Sequence, residues 1–564
     1  MIARMKHIDL VCLANEGDST LAALRDLGAV HLDLSRASGG GVAEAKGDVA
    51  AAEAAVRLVK RARGKASKDD FDIRERSVAE TLSIGEDRDT LAAEKERLER
   101  EIKVYEPYGD FDPELARRLL ERGIDIADRL PPKLPEMRLS KMREKLDRIE
   151  NRMRIDDAKL AATDDAAIVR MFPGLADKVA FAAARELLEG RGAVSVVSGW
   201  IPEKRVGDLR SCVAKMGWGV LLRDPAEGEA PPTLIEPPKL FRPVKVLFEG
   251  LGIAPAYTES DVSVPFMCYF SLFFAMLVGD GGYGAIFLGV MLALRRKLPR
   301  SWFVLLTVFS SATVLWGLLS NTWFGAALPW CADWPTVKWL ADPSYSNMML
   351  LCFTIGVSHL MLARIWNGVC RAPDSTALAE FGWAGVLLFM YFVTNSIVGI
   401  FASIPTAIYW VFGVSLLSVF LFTVKPSELK TRGAELGMLP LNVMSALGDI
   451  ISYVRLFAVG LASVKVAENF NSMATGLLTG ADAMWEKALM SVAMVAILVV
   501  GHGLNLVMAG LSILVHAVRL NTLEFSNHKG VSWSGYAYSP FRSQSAATEA
   551  ISTRYGNIKK EENQ

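Results

Sequence analysis

Ser452-Tyr-Val-Arg-Leu-Phe-Ala-Val-Gly-Leu-Ala462 sets one arginine, Arg455, inside a run that otherwise reads as buried membrane helix. A guanidinium near the bilayer centre costs about 3 kcal/mol on insertion scales, so it points to a functional site with an acidic partner. Arg519 repeats the pattern at the end of the apolar run 504–520, in Gly510-Leu-Ser-Ile-Leu-Val-His-Ala-Val-Arg-Leu520. Working outward, apolar runs fall at 264–278, 281–294, 302–328, 348–369, 377–400, 404–424, 438–467 and 488–520. They predict a polytopic α-helical membrane domain of about eight helices. The first two form a tight hairpin at Gly279-Asp-Gly-Gly282, and the last two are long enough to lie tilted.

The chain has 564 residues, 51% hydrophobic and 22% charged, with 62 basic against 62 acidic side chains. That balance hides a boundary: charges are dense over 1–248, and the long apolar runs begin at 264. We expect a soluble part at 1–248, a linker at 249–263, an ion-translocating membrane domain at 264–525 and a C-terminal tail at 526–564. Pro231-Pro-Thr-Leu-Ile-Glu-Pro-Pro238 reads as extended chain leading into the membrane part. Met1-Ile-Ala-Arg-Met-Lys-His-Ile-Asp-Leu10 carries charges where a signal peptide needs an apolar core, so the first part is expected to stay cytoplasmic. Positive charge at Arg295, Arg296, Lys297, Arg300, Arg364, Arg371, Lys425, Lys430 and Arg432 then marks the inner connections. The loop at 331–346 sets only Lys338 against Asp333 and Asp342, and the alternation puts the C-terminus in the cytoplasm too.

In the soluble part, stretches 5–13 and 30–34 read as strands around a helix at 21–27, and 194–201 and 219–222 as strands around a helix at 206–216. Between them, Val42, Ala45, Val49, Ala52, Val56 and Val59 recur at alternating three and four residues, and Leu139, Met142, Leu146, Ile149 and Met153 do the same. Helices are also read at 86–105 and 113–130. The fold class expected is mainly α: a cytoplasmic dumbbell of two small α+β lobes joined by an antiparallel coiled-coil hairpin, then the membrane domain.

Chemistry is sparse outside the membrane. Gly64-Lys65 lacks the earlier glycine and the following hydroxyl of a P-loop, no His-Glu-x-x-His exists, and the six cysteines have no paired spacing. No metal, cofactor or catalysis by this chain alone is expected, and no basic stripe with aromatic stacking positions points to nucleic acid. Polar residues gather instead on the last two runs. One carries Asp449, Ser452, Tyr453, Arg455, Ser463, Lys465 and Glu468, and the other His502, Asn505, Ser512, His516, Arg519 and Glu524. At helical spacing Ser512, His516, Arg519 and Asn505 share a face, a polar track on an apolar surface. Asp280, in a glycine-rich turn, reads as a turn or cap residue.

Taken in order, several short motifs resemble the membrane stator subunit of V-type and archaeal-type rotary ATPases, called subunit a or subunit I. They are Gly199-Trp-Ile-Pro202, Pro232-Thr-Leu234, Ala256-Tyr-Thr-Glu-Ser-Asp261, Phe273-Phe-Ala-Met-Leu-Val-Gly-Asp-Gly-Gly-Tyr-Gly284, Trp323-Phe-Gly325, Ser452-Tyr-Val-Arg-Leu456, His516-Ala-Val-Arg-Leu520 and Glu524-Phe525. The resemblance implies a stationary subunit of a complex in the cell membrane that couples H⁺ or Na⁺ transport to ATP hydrolysis or synthesis. A proteolipid ring would turn against its last two helices. Peripheral stalks would meet the soluble arm, and a central-stalk subunit and an ATP-hydrolysing head would complete the assembly. Arg455 would face each ring carboxylate in turn with Arg519 as partner, Glu524 would serve a cytoplasmic half-channel, and Asp449, Glu468, Ser452, His516, Ser512 and Asn505 would line the ion path. Eukaryotic members often carry a histidine where this chain has Ser463 and a glutamate where it has Ala509. A secondary transporter with a cytoplasmic coiled-coil regulatory domain is the alternative, and it predicts inverted repeats.

Overall fold

The computed structural model describes residues 2–64, 73–122, 130–331, 333–340, 344–425, 433–479 and 484–543. Lys65, the 123–129 part of the helix expected at 113–130, Asp342, Lys430, Arg432 and residues 544–564 of the tail lie outside the described residues. The chain is mainly helical and divides into two units, residues 5–225 with 539–543 and residues 2–4 with 226–538.

The first unit runs β1 (Met5–Leu13), α1 (Gly17–Leu27), α2 (Gly40–Arg63), α3 (Val78–Tyr105), α4 (Pro113–Glu121), α5 (Leu139–Ala161), α6 (Asp165–Glu186), β2 (Glu189–Arg191), β3 (Val194–Pro202), α7 (Val206–Met216) and β4 (Gly219–Arg223). Alternation along β1 sends Ile8, Leu10 and Cys12 into the core. The strands form one antiparallel sheet in the order β2-β3-β1-β4, with Ile8 opposite Gly199 and Leu222. This corrects the expectation of two separate lobes. Each lobe would have held only a pair of strands, which is marginal alone, and β1 between β3 and β4 satisfies both of its edges. The stretch 30–34 is likewise no strand. His31 makes a single reciprocal bridge to Trp200 (2.8 and 2.9 Å) before a 3₁₀ turn at Leu34–Arg36. Gly199 allows that approach, since a Cβ there would stand 2.7 Å from the His31 carbonyl oxygen.

The two apolar seams do not pair mainly with each other. Ala52, Ala55 and Val56 of α2 pack with Ile168 and Leu175 of α6. Helix α5 lies along α3, joined by Arg88–Asp157 (2.6 Å), Lys95–Glu150 (2.7 Å) and Lys145–Glu94 (2.6 Å). The helical arm therefore uses α2, α3, α5 and α6, because a stripe as narrow as that of α2 is covered more fully by two neighbours than by one. Residues 539–543 return to this unit: Phe541 is buried beside Leu24, Val30 and Ile201, and its N–H donates to the Val30 carbonyl at 2.7 Å.

The second unit runs α8 (Val244–Leu251), α9 (Ser263–Val278), α10 (Gly281–Ala293), α11 (Arg300–Ser320), α12 (Pro335–Leu340), α13 (Ser346–Arg371), α14 (Thr376–Ile397), α15 (Thr406–Phe422), α16 (Leu439–Ile451), α17 (Val454–Thr479) and α18 (Met484–Ser512), the last continuing through irregular turns to Lys529. All eight apolar runs contain helix, that at 302–328 only as far as Ser320, but among the described residues five helices are long and apolar enough to cross a membrane. They are α11, α13, α14, Leu439–Leu477 and Trp485–Lys529, and the chain is a multi-pass membrane protein. The expected count of about eight helices of spanning length is not confirmed: α9 and α10 have 16 and 13 residues and meet at a 119° bend, so that together they make at most one further span, and α15 has 17. Helix α9, apolar all round, lies at the centre, with Phe266, Phe270 and Phe273 buried. The span Trp485–Lys529 is its opposite. Only 17% of its apolar window is buried, so Val492, Val495, Val499 and Leu511 need lipid or another apolar surface.

One pH dependence follows in the first unit. His31 Nδ1 lies 2.8 Å from the Ser539 carbonyl oxygen, and burial pushes the imidazole pKa below its ordinary value, against the raising effects of that carbonyl and of Asp33. A histidine that binds fewer protons folded than unfolded contributes stability that is complete above about pH 6.5 and lost as pH falls through the folded pKa. Acidification from about pH 7 to about pH 5 is expected to release residues 539–543, read as faster proteolysis of the C-terminus, and His31→Gln to flatten that dependence.

Candidate functional site

The site begins at a break. Helix α16 stops at Ile451 and α17 starts at Val454, with tight bonds from Tyr453 N to Ile450 O (3.1 Å) and Leu456 N to Tyr453 O (3.0 Å). The turn sets the Ser452 carbonyl against the residue three on, and it accepts from both Arg455 N (3.4 Å) and Arg455 Nε (3.0 Å). The guanidinium is thereby aimed across the unit, where Nη2 donates to Glu524 Oε1 at 2.8 Å. Arg519 Nε lies 3.4 Å from the same oxygen. The Glu524 side chain is 5% exposed, against 22% for Arg455 and 53% for Arg519, so one buried carboxylate is shared by two guanidiniums of unequal exposure. A carboxylate so far from water keeps its charge only with such partners. Glu524 Oε2 and His516 Nδ1 are buried there with no hydrogen-bond partner among the described residues.

Backbone geometry makes the sharing possible. Ile513–Ala517 and Leu520–Phe525 are π-helical. On an α-helix, Arg519 and Glu524 would point about 140° apart, whereas π backbone, bonded i to i+5, brings residues five apart onto one side. Side chains help hold the widened turns: Ser526 Oγ donates to Asn521 O (2.8 Å) and Asn521 Nδ2 to Ala517 O (3.0 Å).

Asp449, earlier on α16, is elsewhere engaged. Its Oδ2 meets His528 Nε2 at 3.0 Å, and Arg364 Nε donates to His528 Nδ1 at 3.1 Å. Arg364 and Arg371 hold Glu380 at 3.1 and 2.8 Å. Asp449, Ser445, Asn442, His528 and Arg364 line a cavity of about 540 Å³. A smaller one of about 210 Å³, lined by Tyr345, Leu456, Gly460, Lys465 and Glu468, lies further along α17, where Lys465 and Glu468 pair at 2.7 Å. Asn505, Ser463, Tyr283 and His502 form a third cluster. Asn505 Nδ2 donates to Tyr283 Oη (3.1 Å) and to Ser463 O (2.9 Å), Ser463 Oγ to Asn505 Oδ1 (3.1 Å), and Tyr283 Oη lies 2.7 Å from His502 Nδ1.

Of the residues singled out from the sequence, the structure thus joins Arg455, Arg519, Glu524 and the Ser452 backbone, with His516 alongside in sequence. Asp449, Glu468 and Asn505 stand in three other clusters. Ser512 is half-buried at the end of α18. The polar track drawn at α-helical spacing through Asn505, Ser512, His516 and Arg519 is not one face, because Asn505 is 1% exposed and the π turns re-phase everything after 512. Sequence reasoning missed Glu380, and it counted Arg364 among loop charges although that side chain is bound to a buried carboxylate inside a span. The signal was present, since a glutamate in the apolar run 377–400 obeys the rule that singled out Arg455. Among the described residues no group of three or more His, Cys, Asp or Glu is placed to hold a metal.

The chain resembles known proteins over much of its length. It is 33% identical to a V-type ATP synthase subunit I of Borreliella burgdorferi over 62% of this chain and 60% of that one. It is 28% identical to V-type ATP synthase subunit I 1 of Treponema pallidum over 96% of this chain and 100% of that one, and 24% identical to an A-type ATP synthase subunit I of Methanocaldococcus jannaschii over 63% and 56%. No family model matches the chain.

Asp280 is structural in this arrangement. It caps α10 by accepting from Gly282 N (2.7 Å) and Tyr283 N (3.4 Å), and it also accepts from Phe324 N (2.9 Å) and Gly325 N (2.8 Å). Asp280→Ala leaves four N–H groups without that acceptor, and thermal unfolding of the detergent-purified protein is expected to show a loss of about 2–4 kcal/mol. Asp280→Asn should lose less, and an unchanged Tm for both variants would remove the anchoring role.

Proposed function

The chain belongs to the V-type/A-type ATP synthase subunit I family, and on that premise we propose that it is the stationary membrane subunit carrying ions past a rotating proteolipid ring. The observation that carries the reading is the Arg455–Glu524 pair, a partly exposed cation held by a buried carboxylate of its own chain within membrane-spanning helices.

Arginine stays protonated at any biological pH, so it offers a fixed positive charge that never itself carries the proton. With no ring acid opposite, Glu524 balances Arg455. When a ring carboxylate arrives, the exposed part of the guanidinium favours its ionised form, lowering its pKa by about 1–3 units and driving off its ion. Glu524 then remains balanced by Arg519, so the exchange strands no buried charge. The two cavities supply entrances from opposite sides. Asp449 and Glu468, one in each, stand on either side of Arg455 along the chain, Asp449 before the break and Glu468 about 20 Å of helix beyond it. Moving a charge across the whole field is worth about 2.3 kcal/mol per 100 mV, and a fixed cation between the entrances opposes a direct leak of that energy.

In this reading residues 5–225 and the C-terminus face the cytoplasm, the helical arm meets peripheral-stalk subunits, and a central-stalk subunit and an ATP-hydrolysing head complete the assembly in the cell membrane. The chain is not catalytic alone. A secondary transporter gains nothing from these observations.

Arg455→Ala should leave assembly intact, because Arg519 still pairs with Glu524, yet abolish ATP-driven ion uptake into vesicles. Undiminished uptake would sink the mechanism. Glu524→Gln should slow uptake without abolishing it, and an unchanged rate would return Glu524 to a structural role.

A further inference from the structure

His359 lies midway along α13 and is completely buried, in a span where an imidazole needs a reason. Its Nδ1 is 2.9 Å from Tyr453 Oη. Tyr269 and Phe525 stack against the ring with centroids at 4.0 and 4.4 Å and interplanar angles of 24° and 11°, so they occupy its two faces. Two of these three neighbours belong to the elements that carry the charge pair. Tyr453, itself fully buried, sits in the break two residues before Arg455, and Phe525 immediately follows Glu524. The Tyr453 ring in turn rests on Gly356, one turn before His359, where a Cβ would come within 2.6 Å of it.

From this placement we infer that His359 is a positioning residue for ion transfer: one imidazole, from a helix that bears neither charge, sets the separation of Arg455 and Glu524. The inference rests on the reading of that pair given above. Two features of the ring matter separately. The nitrogen fixes Tyr453 and hence the turn whose Ser452 carbonyl aims Arg455, and the flat face fixes Phe525 and hence the π turn that presents Glu524. No other aromatic ring among the described contacts of His359 makes both connections, since Tyr269 and Phe273 reach it from α9.

The test separates the two features. In the assembled complex reconstituted in vesicles, the ratio of ions taken up to ATP hydrolysed is measured for His359→Phe, which keeps the stack and removes the nitrogen, for Tyr453→Phe, which removes the hydroxyl, and for both together. Each single variant is expected to lower the ratio about fivefold, the weight of one lost hydrogen bond, and the double variant to be no worse than either. His359→Gln, which can restore a bond to Tyr453, should recover part of the loss. A merely structural histidine would lower complex yield and Tm while leaving the ratio alone. A wild-type ratio in His359→Phe, or singles whose effects multiply in the double, overturns the inference. Should His359→Phe fail to assemble, Tyr453→Phe alone decides by the same ratio. Arg455→Ala is measured alongside: if it pumps normally the reading of the charge pair fails, whereas if it is inactive and His359→Phe is unaffected only the positioning role fails.

Discussion

A single buried carboxylate shared by two arginines is the constraint on which the proposed ion-handling region depends. Alone in an apolar span, any one of Arg455, Arg519 or Glu524 would carry an uncompensated charge costing several kcal/mol. Together they form a group whose charge is neutralised at its buried centre and left positive toward the exposed side, because Glu524 is nearly inaccessible and Arg519 is half in the open. A fixed positive surface on an otherwise apolar face is what a mobile acid elsewhere in a complex can meet. The sharing also makes the group tolerant, since loss of either arginine leaves the carboxylate paired.

Assembling that group required departures from regular helix on both sides. Helix α16 breaks at Ser452–Tyr453, and the last span passes through two π segments between Ile513 and Phe525. Neither departure is forced by proline or glycine at the charged positions, so local propensity alone does not explain them. Two supports are tertiary, the Tyr453–His359 bond and the stacked Phe525, and two are local, the Ser526 and Asn521 side chains bonded to carbonyls of the widened turns.

This explains which parts were legible in the sequence. Apolar runs marked the helices, and an ionisable residue within or closing a run marked Arg455 and Arg519, since both signals are local, while Glu524, past the end of the run at 520, was singled out by the family resemblance. Their meeting was hidden because a long apolar run is read at α-helical spacing, and π backbone changes that spacing without altering composition. The same limit applies to the sheet. Stretches 5–13 and 194–202 both alternate correctly, but alternation does not name the partner strand, and they joined one sheet across the whole helical arm. Narrow seams on α2 and α5 likewise showed that partners were needed and not which ones. Arg364 was misplaced for a different reason: counting charges near span ends treats every arginine as solvated, and this one is bound to Glu380.

The polar residues of the second unit therefore divide by what their partners allow. Asp280 spends its oxygens on four backbone N–H groups, Asn505 bonds to Ser463 and Tyr283, and Glu380 holds two arginines, so each is engaged in ways that favour a fixed structure. Glu524 differs, because one oxygen carries both cations and the other is buried with no partner among the described residues. An unmet buried acceptor is costly, which favours hydration of that oxygen or a change of partner over a static role. Among these carboxylates the one beside Arg455 is thus the least satisfied by its own chain, and a group in that condition is the one an ion or an approaching acid can most readily perturb.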